Sequence, residues 1–112
     1  MALVIKIKEV NNVVLIALNG NLDTNTAPDA ETEINNLLDK GTKKIIINLE
    51  NTKYVSSAGL RIFLATAKKM TAASGAVKLC CANDVVQEIL DISGFSSILD
   101  VKPTEKEALE DI

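Results

Sequence analysis

The chain has 112 residues, the length of one ordinary domain, and a single domain over 1–112 is expected. Hydrophobic residues make up 47% and aromatic residues 3%, which excludes a disordered segment and leaves a core of Ile, Leu, Val and Ala. The net charge is -3 and the eleven lysines are scattered, so no basic patch of the kind nucleic acid requires is visible.

No N-terminal stretch combines a basic start, an apolar middle and a cleavage site. No apolar run approaches the roughly 18 residues of a membrane span. A cytoplasmic protein without direct membrane insertion is expected. Cys80 and Cys81 are adjacent; in a strand their side chains would point to opposite faces, and a disulfide between them would be strained. They read as free thiols in a reducing compartment. The chain has no histidine, so neither a Ser-His-Asp triad nor a histidine metal site is available.

The first elements read as a hairpin. From Leu3 to Val10 the pattern alternates with period two, and Val13 to Leu18 is more continuously apolar, with Asn11-Asn12 between them. A polar loop is expected from Asn19 to Thr26. A helix follows, with Thr26 as N-cap, Pro28 in the first turn, a buried face of Ala27, Ala30, Ile34, Leu37 and Leu38, and Gly41 as its stop.

Lys43 to Leu49 is apolar on both faces at Ile45, Ile46 and Ile47, as an interior strand of a parallel sheet reads. After a short polar exit comes Tyr54-Val55-Ser56-Ser57-Ala58-Gly59-Leu60-Arg61, where a helix opens. Its stripe runs through Leu60, Phe63, Leu64, Ala67 and Met70 and ends near Gly75. Ala76 to Cys81 is a further strand. Asn83 caps a helix through Leu90, with Gly94 beyond its end, and Ser97 to Val101 reads as an edge strand. Thr104 and Glu107 form a capping box for a last helix through Leu109. The order β-β-α-β-α-β-α-β-α implies an α/β domain with a mixed, largely parallel sheet of four to five strands and about four helices.

The usual nucleotide cradles are missing, and the acidic side chains fall mostly on solvated helix faces, so no enzyme and no cofactor are expected. The Ser56-Ser57 pair remains. Its plain reading is an N-cap, with the two hydroxyls sharing the cap and the turn. Its sharper reading is a phosphoacceptor, because a helix start favours nearby anions by about 0.3–2 kcal/mol. Arg61 reads as a surface residue before a phosphate clamp, and Tyr54 as a partly buried strand-end aromatic.

Four motifs fall in order: Gly20-Asn21-Leu22-Asp23, Ile45-Ile46-Ile47-Asn48-Leu49, Tyr54 to Leu60, and Asp91-Ile92-Ser93-Gly94-Phe95. Together they resemble the STAS domain of bacterial anti-sigma factor antagonists over essentially the whole chain. The resemblance implies a small mixed sheet with helices largely on one face. It also implies a partner-switching cycle. The unphosphorylated antagonist binds an anti-sigma factor, itself a serine kinase using ATP and magnesium, and frees the sigma factor. Phosphorylation ends binding, and a serine phosphatase resets it. The family's acceptor corresponds to Ser57, with Ser56 a second candidate. Asp23, Ser56, Ser57 and Gly59 are the implied partner-binding residues. Ser56 departs from the aspartate common before the acceptor in sporulation- and stress-type members, which leaves open which kinase reads the site. A monomer is expected when unbound. The alternative is a STAS subunit of a lipid-transport or stressosome-type complex acting as a non-catalytic binding module.

Overall fold

The structure, a computed structural model, describes residues 3–112. Strands β1 (Val4–Val10) and β2 (Val13–Leu22) form the expected antiparallel hairpin, with Val10 opposite Val13. Asn11 and Asn12 have φ of 51° and 68°. Two consecutive left-handed residues give the turn whose twist suits a two-residue hairpin, and asparagine tolerates that conformation better than most residues.

β2 is longer than its apolar run. It continues through Asn19-Gly20-Asn21 to Leu22, where a polar loop is expected from composition. Its first half pairs in parallel with β3 (Lys44–Asn48), and its end pairs in parallel with a further strand, β4 (Thr52–Val55). A register shift between Gly20 and Asn21, with Gly20 at φ 124°, marks the handover. Bulges bend a strand in this way, and glycine takes the positive φ without penalty. Buried Leu22 and Val55 hold the extension against the core, and the Thr52 hydroxyl donates to the Leu18 carbonyl.

The remaining elements are α1 (Ala27–Asp39), α2 (Ser57–Ala72), β5 (Ala76–Cys80), α3 (Asp84–Ile92), a 3₁₀ turn at Phe95–Ser97, β6 (Val101–Lys102) and α4 (Glu105–Asp111). The sheet therefore has six strands, in the order β1-β2-β3-β5-β6 with β4 beside β2. The α/β class, the four helices and the mostly parallel sheet are as read from the pattern. Two strands differ. β4 was hidden in the polar exit after Leu49. The expected edge strand from Ser97 to Val101 begins instead as the 3₁₀ turn, and only Val101 and Lys102 pair with β5. Gly94 at φ 82° starts that turn, and two serines of weak strand propensity follow Phe95.

Alternate residues of the strands face two unequal cores. Val14, Ile16, Leu18, Ile45, Ile47 and Leu79 face α1, α2 and α3, whereas Val13, Leu15, Ile46 and Cys80 face α4 through Ala108. The doubly apolar Ile45-Ile46-Ile47 run is explained by these two covers. Asn48 Nδ2 donates to Glu105 Oε2 at 2.8 Å, tying α4 to β3. Of the capping box, the Thr104 arm is present, its hydroxyl accepting the Glu107 amide at 3.1 Å.

Cys80 and Cys81 remain separate thiols, but not on opposite faces. β5 ends at Cys80, and Cys81 turns left-handed at φ 63°, which ends the period-two alternation and brings the sulfurs to 3.4 Å.

Candidate functional site

The strand β4 delivers the chain to the start of α2. Val55 pairs with Leu22, and the Ser56 amide donates to the Leu22 carbonyl at 2.8 Å. Asp23 follows Leu22 directly, so the Asp23–Thr26 turn and the Ser56-Ser57 join emerge side by side from neighbouring parallel strands. The structure thus brings Asp23, Ser56 and Ser57 to one end of the sheet.

The two serines have different tasks. Ser56 is extended, at φ -83° and ψ 175°, and its Oγ accepts the Gly59 amide at 3.3 Å, which makes it the N-cap of α2. Ser57 is the first helical residue, is exposed, and its hydroxyl makes no hydrogen bond among the described residues. Of the two, Ser57 offers an unengaged nucleophilic oxygen.

Asp23 is a turn-former by geometry. Its Oδ1 accepts the amides of Asn25 at 2.9 Å and Thr26 at 3.1 Å. These bonds, that from Thr26 foremost, hold its carboxyl below the usual carboxylate range, so it is charged at neutral pH. Thr26 stands at the N-cap position but does not cap α1 with its side chain. Its hydroxyl instead accepts the Asp23 amide at 2.9 Å and donates to the Asn21 carbonyl at 2.7 Å. The reason is the Asp23 turn: the Asp23 carbonyl already accepts the Ala27 amide at 2.8 Å, so helical hydrogen bonding begins there.

Gly59 is buried, and a Cβ on it would lie 2.9 Å from Leu22 and Val55 side-chain atoms. The resemblance implies partner binding at Gly59; what its surroundings show is close packing against Leu22 and Val55. Beside the serines, a groove of about 330 Å³ runs between α1 and α2, lined by Thr24, Pro28, Glu31, Ala58 and Arg61 among others. Arg61 is exposed and forms no ion pair among the described residues. Tyr54, expected as a partly buried strand-end aromatic, is 48% exposed at the end of β4.

One contributor is not evident from local pattern. Asn83 caps α3 by accepting the Val86 amide at 2.9 Å, and its Nδ2 also donates to the Thr52 carbonyl at 2.7 Å. It therefore anchors the start of β4, and with it the approach to Ser57. The cap was legible in the sequence; the tether to a residue 31 positions away was not.

Such a molecule belongs to the class of small α/β domains that present a free hydroxyl at a strand-to-helix join. Its family is established by comparison: the STAS domain family matches residues 4–108, and the chain belongs to it. BtrV of Bordetella bronchiseptica, which carries the name of an anti-sigma factor antagonist, is 32% identical over 100 residues, covering 89% of this chain and 86% of that one. A Thermotoga maritima protein of the same description superposes with a TM-score of 0.92 at 24% identity, over 96% of this chain and 93% of that one. The Bacillus protein SpoIIAA in its unphosphorylated form gives 0.82 at 23% identity, over 96% and 95% of the two chains. Its phosphorylated form gives 0.75, also at 23%, over 96% and 98%. At these identities the two solved proteins show the shared fold.

Proposed function

We propose that this protein is an anti-sigma factor antagonist switched by phosphorylation of Ser57. Unphosphorylated, it binds an anti-sigma factor that is also a serine kinase, and so releases a sigma factor in the cytoplasm. Phosphorylated, it lets go, and a serine phosphatase resets it. The observation that carries this reading is the division of labour at the helix start: Ser56 is used as the cap, and Ser57 is exposed with its hydroxyl free. Membership of the STAS family, the name of BtrV and the existence of SpoIIAA in two phosphorylation forms support it.

The physical consequence of the modification is local. A phosphate adds about -1.5 to -2 charges, and a helix N-terminus tolerates them, so the domain stays folded. Asp23 already places a negative charge at the same end of the sheet. Like-charge contact at an interface costs several kcal/mol, and about 2.8 kcal/mol is a hundredfold in affinity. Release therefore requires no refolding. Tyr54 and the groove between α1 and α2 provide contact surface around the hydroxyl, with Asp23 and Ser56 at its margin.

The test is binding to the cognate kinase. Wild type and Ser57→Ala should bind without ATP, Ser57→Asp should bind at least tenfold more weakly, and phosphopeptide mapping should place the phosphate on Ser57. Tight binding by the phosphorylated protein, or phosphate found elsewhere, would remove this reading. Stable co-purification with a membrane ATPase in place of a kinase would favour a transport subunit.

A further inference from the structure

Among the described residues, Cys80 and Cys81 are a nucleophilic pair that the Ser57 switch does not use. Cys80 is fully buried under α4, beside Ile46 and Ala108, while Cys81 is half-buried at the rim of that small core. Cys81 Sγ donates to Cys80 Sγ at 3.4 Å. The left-handed φ of 63° at Cys81 is uncommon for a residue with a Cβ, and it is what folds the second side chain back onto the first.

This separation discriminates among the bridges two thiols can form. A disulfide has a bond of about 2.05 Å and Cα atoms usually about 4.4–6.8 Å apart. Adjacent Cα atoms are only about 3.8 Å apart, so direct closure is strained. A tetrahedral zinc with bonds of about 2.3 Å holds its sulfurs roughly 3.8 Å apart and takes two further ligands. No group of three or more His, Cys, Asp and Glu able to hold a metal exists among the described residues. A pyramidal three-coordinate centre with sulfur bonds of the same order, about 2.3 Å, and an angle of about 95° spans roughly 3.4 Å. That is the distance present.

We propose that Cys80 and Cys81 form a chelating dithiol that takes up a trivalent arsenical. Thiolate sulfur is a soft ligand matched to a soft centre, and three-coordinate arsenic needs only two sulfurs from the protein. With an organoarsenic(III) oxide, both S–H bonds and the As=O bond break and two As–S bonds form. The two protons leave with the oxygen as one water, and arsenic stays trivalent, so neither oxidant nor reductant is consumed. Burial foremost, and then the bond from Cys81, push the Cys80 thiol well up. The first As–S bond therefore forms at Cys81, and Cys80 closes the ring. Access to Cys80 requires α4 to lift. α4 has seven residues and packs on β3, β5 and β6, so the opening it needs is local.

The experiment adds phenylarsine oxide to the folded full chain and follows it by intact mass spectrometry and free-thiol titration. One arsenical per chain, with both thiols lost, is the expected result. Cys81→Ser and Cys80→Ala should each bind at least about a hundredfold more weakly, since the second bond forms at a high effective concentration. A dithiol should strip the adduct where the same concentration of a monothiol does not. Binding by Cys81→Ser as tight as the parent's, two arsenicals per chain, or an adduct formed only in denaturant would overturn the proposal. Cys81 is half-buried, so Cys81→Ser stays informative even if Cys80→Ala fails to fold.

Discussion

The Ser56 hydroxyl accepts the Gly59 amide at 3.3 Å, which closes the first turn of α2 and leaves the neighbouring Ser57 hydroxyl without a structural task. In the proposed cycle, stability and signalling therefore fall on adjacent residues. Substitutions should separate them. Ser56→Ala removes a cap and should lower the unfolding free energy by about 0.5–2 kcal/mol. Ser57→Ala should stay within about 0.5 kcal/mol of wild type. Urea denaturation checks the first pair of outcomes. Phosphate incorporation by the cognate kinase should show the reverse ranking, retained in Ser56→Ala and abolished in Ser57→Ala.

Gly59 gives a prediction opposite in sign to helix propensity. Ala is favoured over Gly inside a helix by about 0.8–1.0 kcal/mol. Here, however, the added methyl would meet Leu22 and Val55 at 2.9 Å, where β2 and β4 back onto the helix. Overpacking of this kind costs about 1–3 kcal/mol. Gly59→Ala should therefore be destabilised in a urea melt despite the better helix former. A more stable variant would show that Leu22 can move aside.

Asn83 holds two elements with one side chain. Asn83→Ala loses the cap of α3 and also the bond to the Thr52 carbonyl, a combined cost of about 1–3 kcal/mol. The sharper readout is hydrogen exchange. Amides of β4 should exchange faster in Asn83→Ala, whereas Thr104→Ala, which removes only a cap on α4, should leave β4 unchanged.

The C-terminal part of the sheet is held by four charges. Lys78 lies 3.0 Å from Asp111 and also contacts Asp100, and Lys102 is 3.2 Å from Asp111 and 3.5 Å from Asp100. The hydrogen bond from Lys78 holds both carboxyls below the ordinary 3.8. Lys102 is raised above 10.5 by its bond to Asp111; Lys78 is raised too, burial pulling it down but its two carboxylates outweighing that. A lowered acid stabilises the fold above its unfolded value and loses this as pH falls through the folded one; a raised base does the converse. The network thus contributes fully between about pH 4 and pH 10. Urea midpoints should fall on acidification below that window. Asp100→Asn with Asp111→Asn should reduce the difference between pH 7 and pH 3, and at pH 7 the loss should shrink in high salt, because the two carboxylates are exposed.

Much of the fold is readable locally. Alternation from Val4 to Val10, the Asn11-Asn12 turn, the Ile45-Ile46-Ile47 run and the caps at Asn83 and Thr104 depend on residues within a few positions of one another. The strand β4 is not readable in this way. Four residues with Lys53 and Tyr54 exposed resemble a loop until Leu22 supplies a partner strand. Thr52, Tyr54 and Val55 carry strand propensity, which was the available signal. Cys80 and Cys81 differ for the converse reason: period-two alternation holds only within a strand, and β5 ends at Cys80.

For the site, sequence alone determined that two hydroxyls open α2 and that no histidine chemistry competes with them, because residue identity and helix periodicity are local properties. Only tertiary structure decided which hydroxyl is free, why Gly59 must be glycine, and how Asp23 comes to stand beside the pair. Those answers depend on Leu22 meeting Val55 and on Asn83 reaching Thr52, contacts between segments about 30 residues apart that no local pattern encodes.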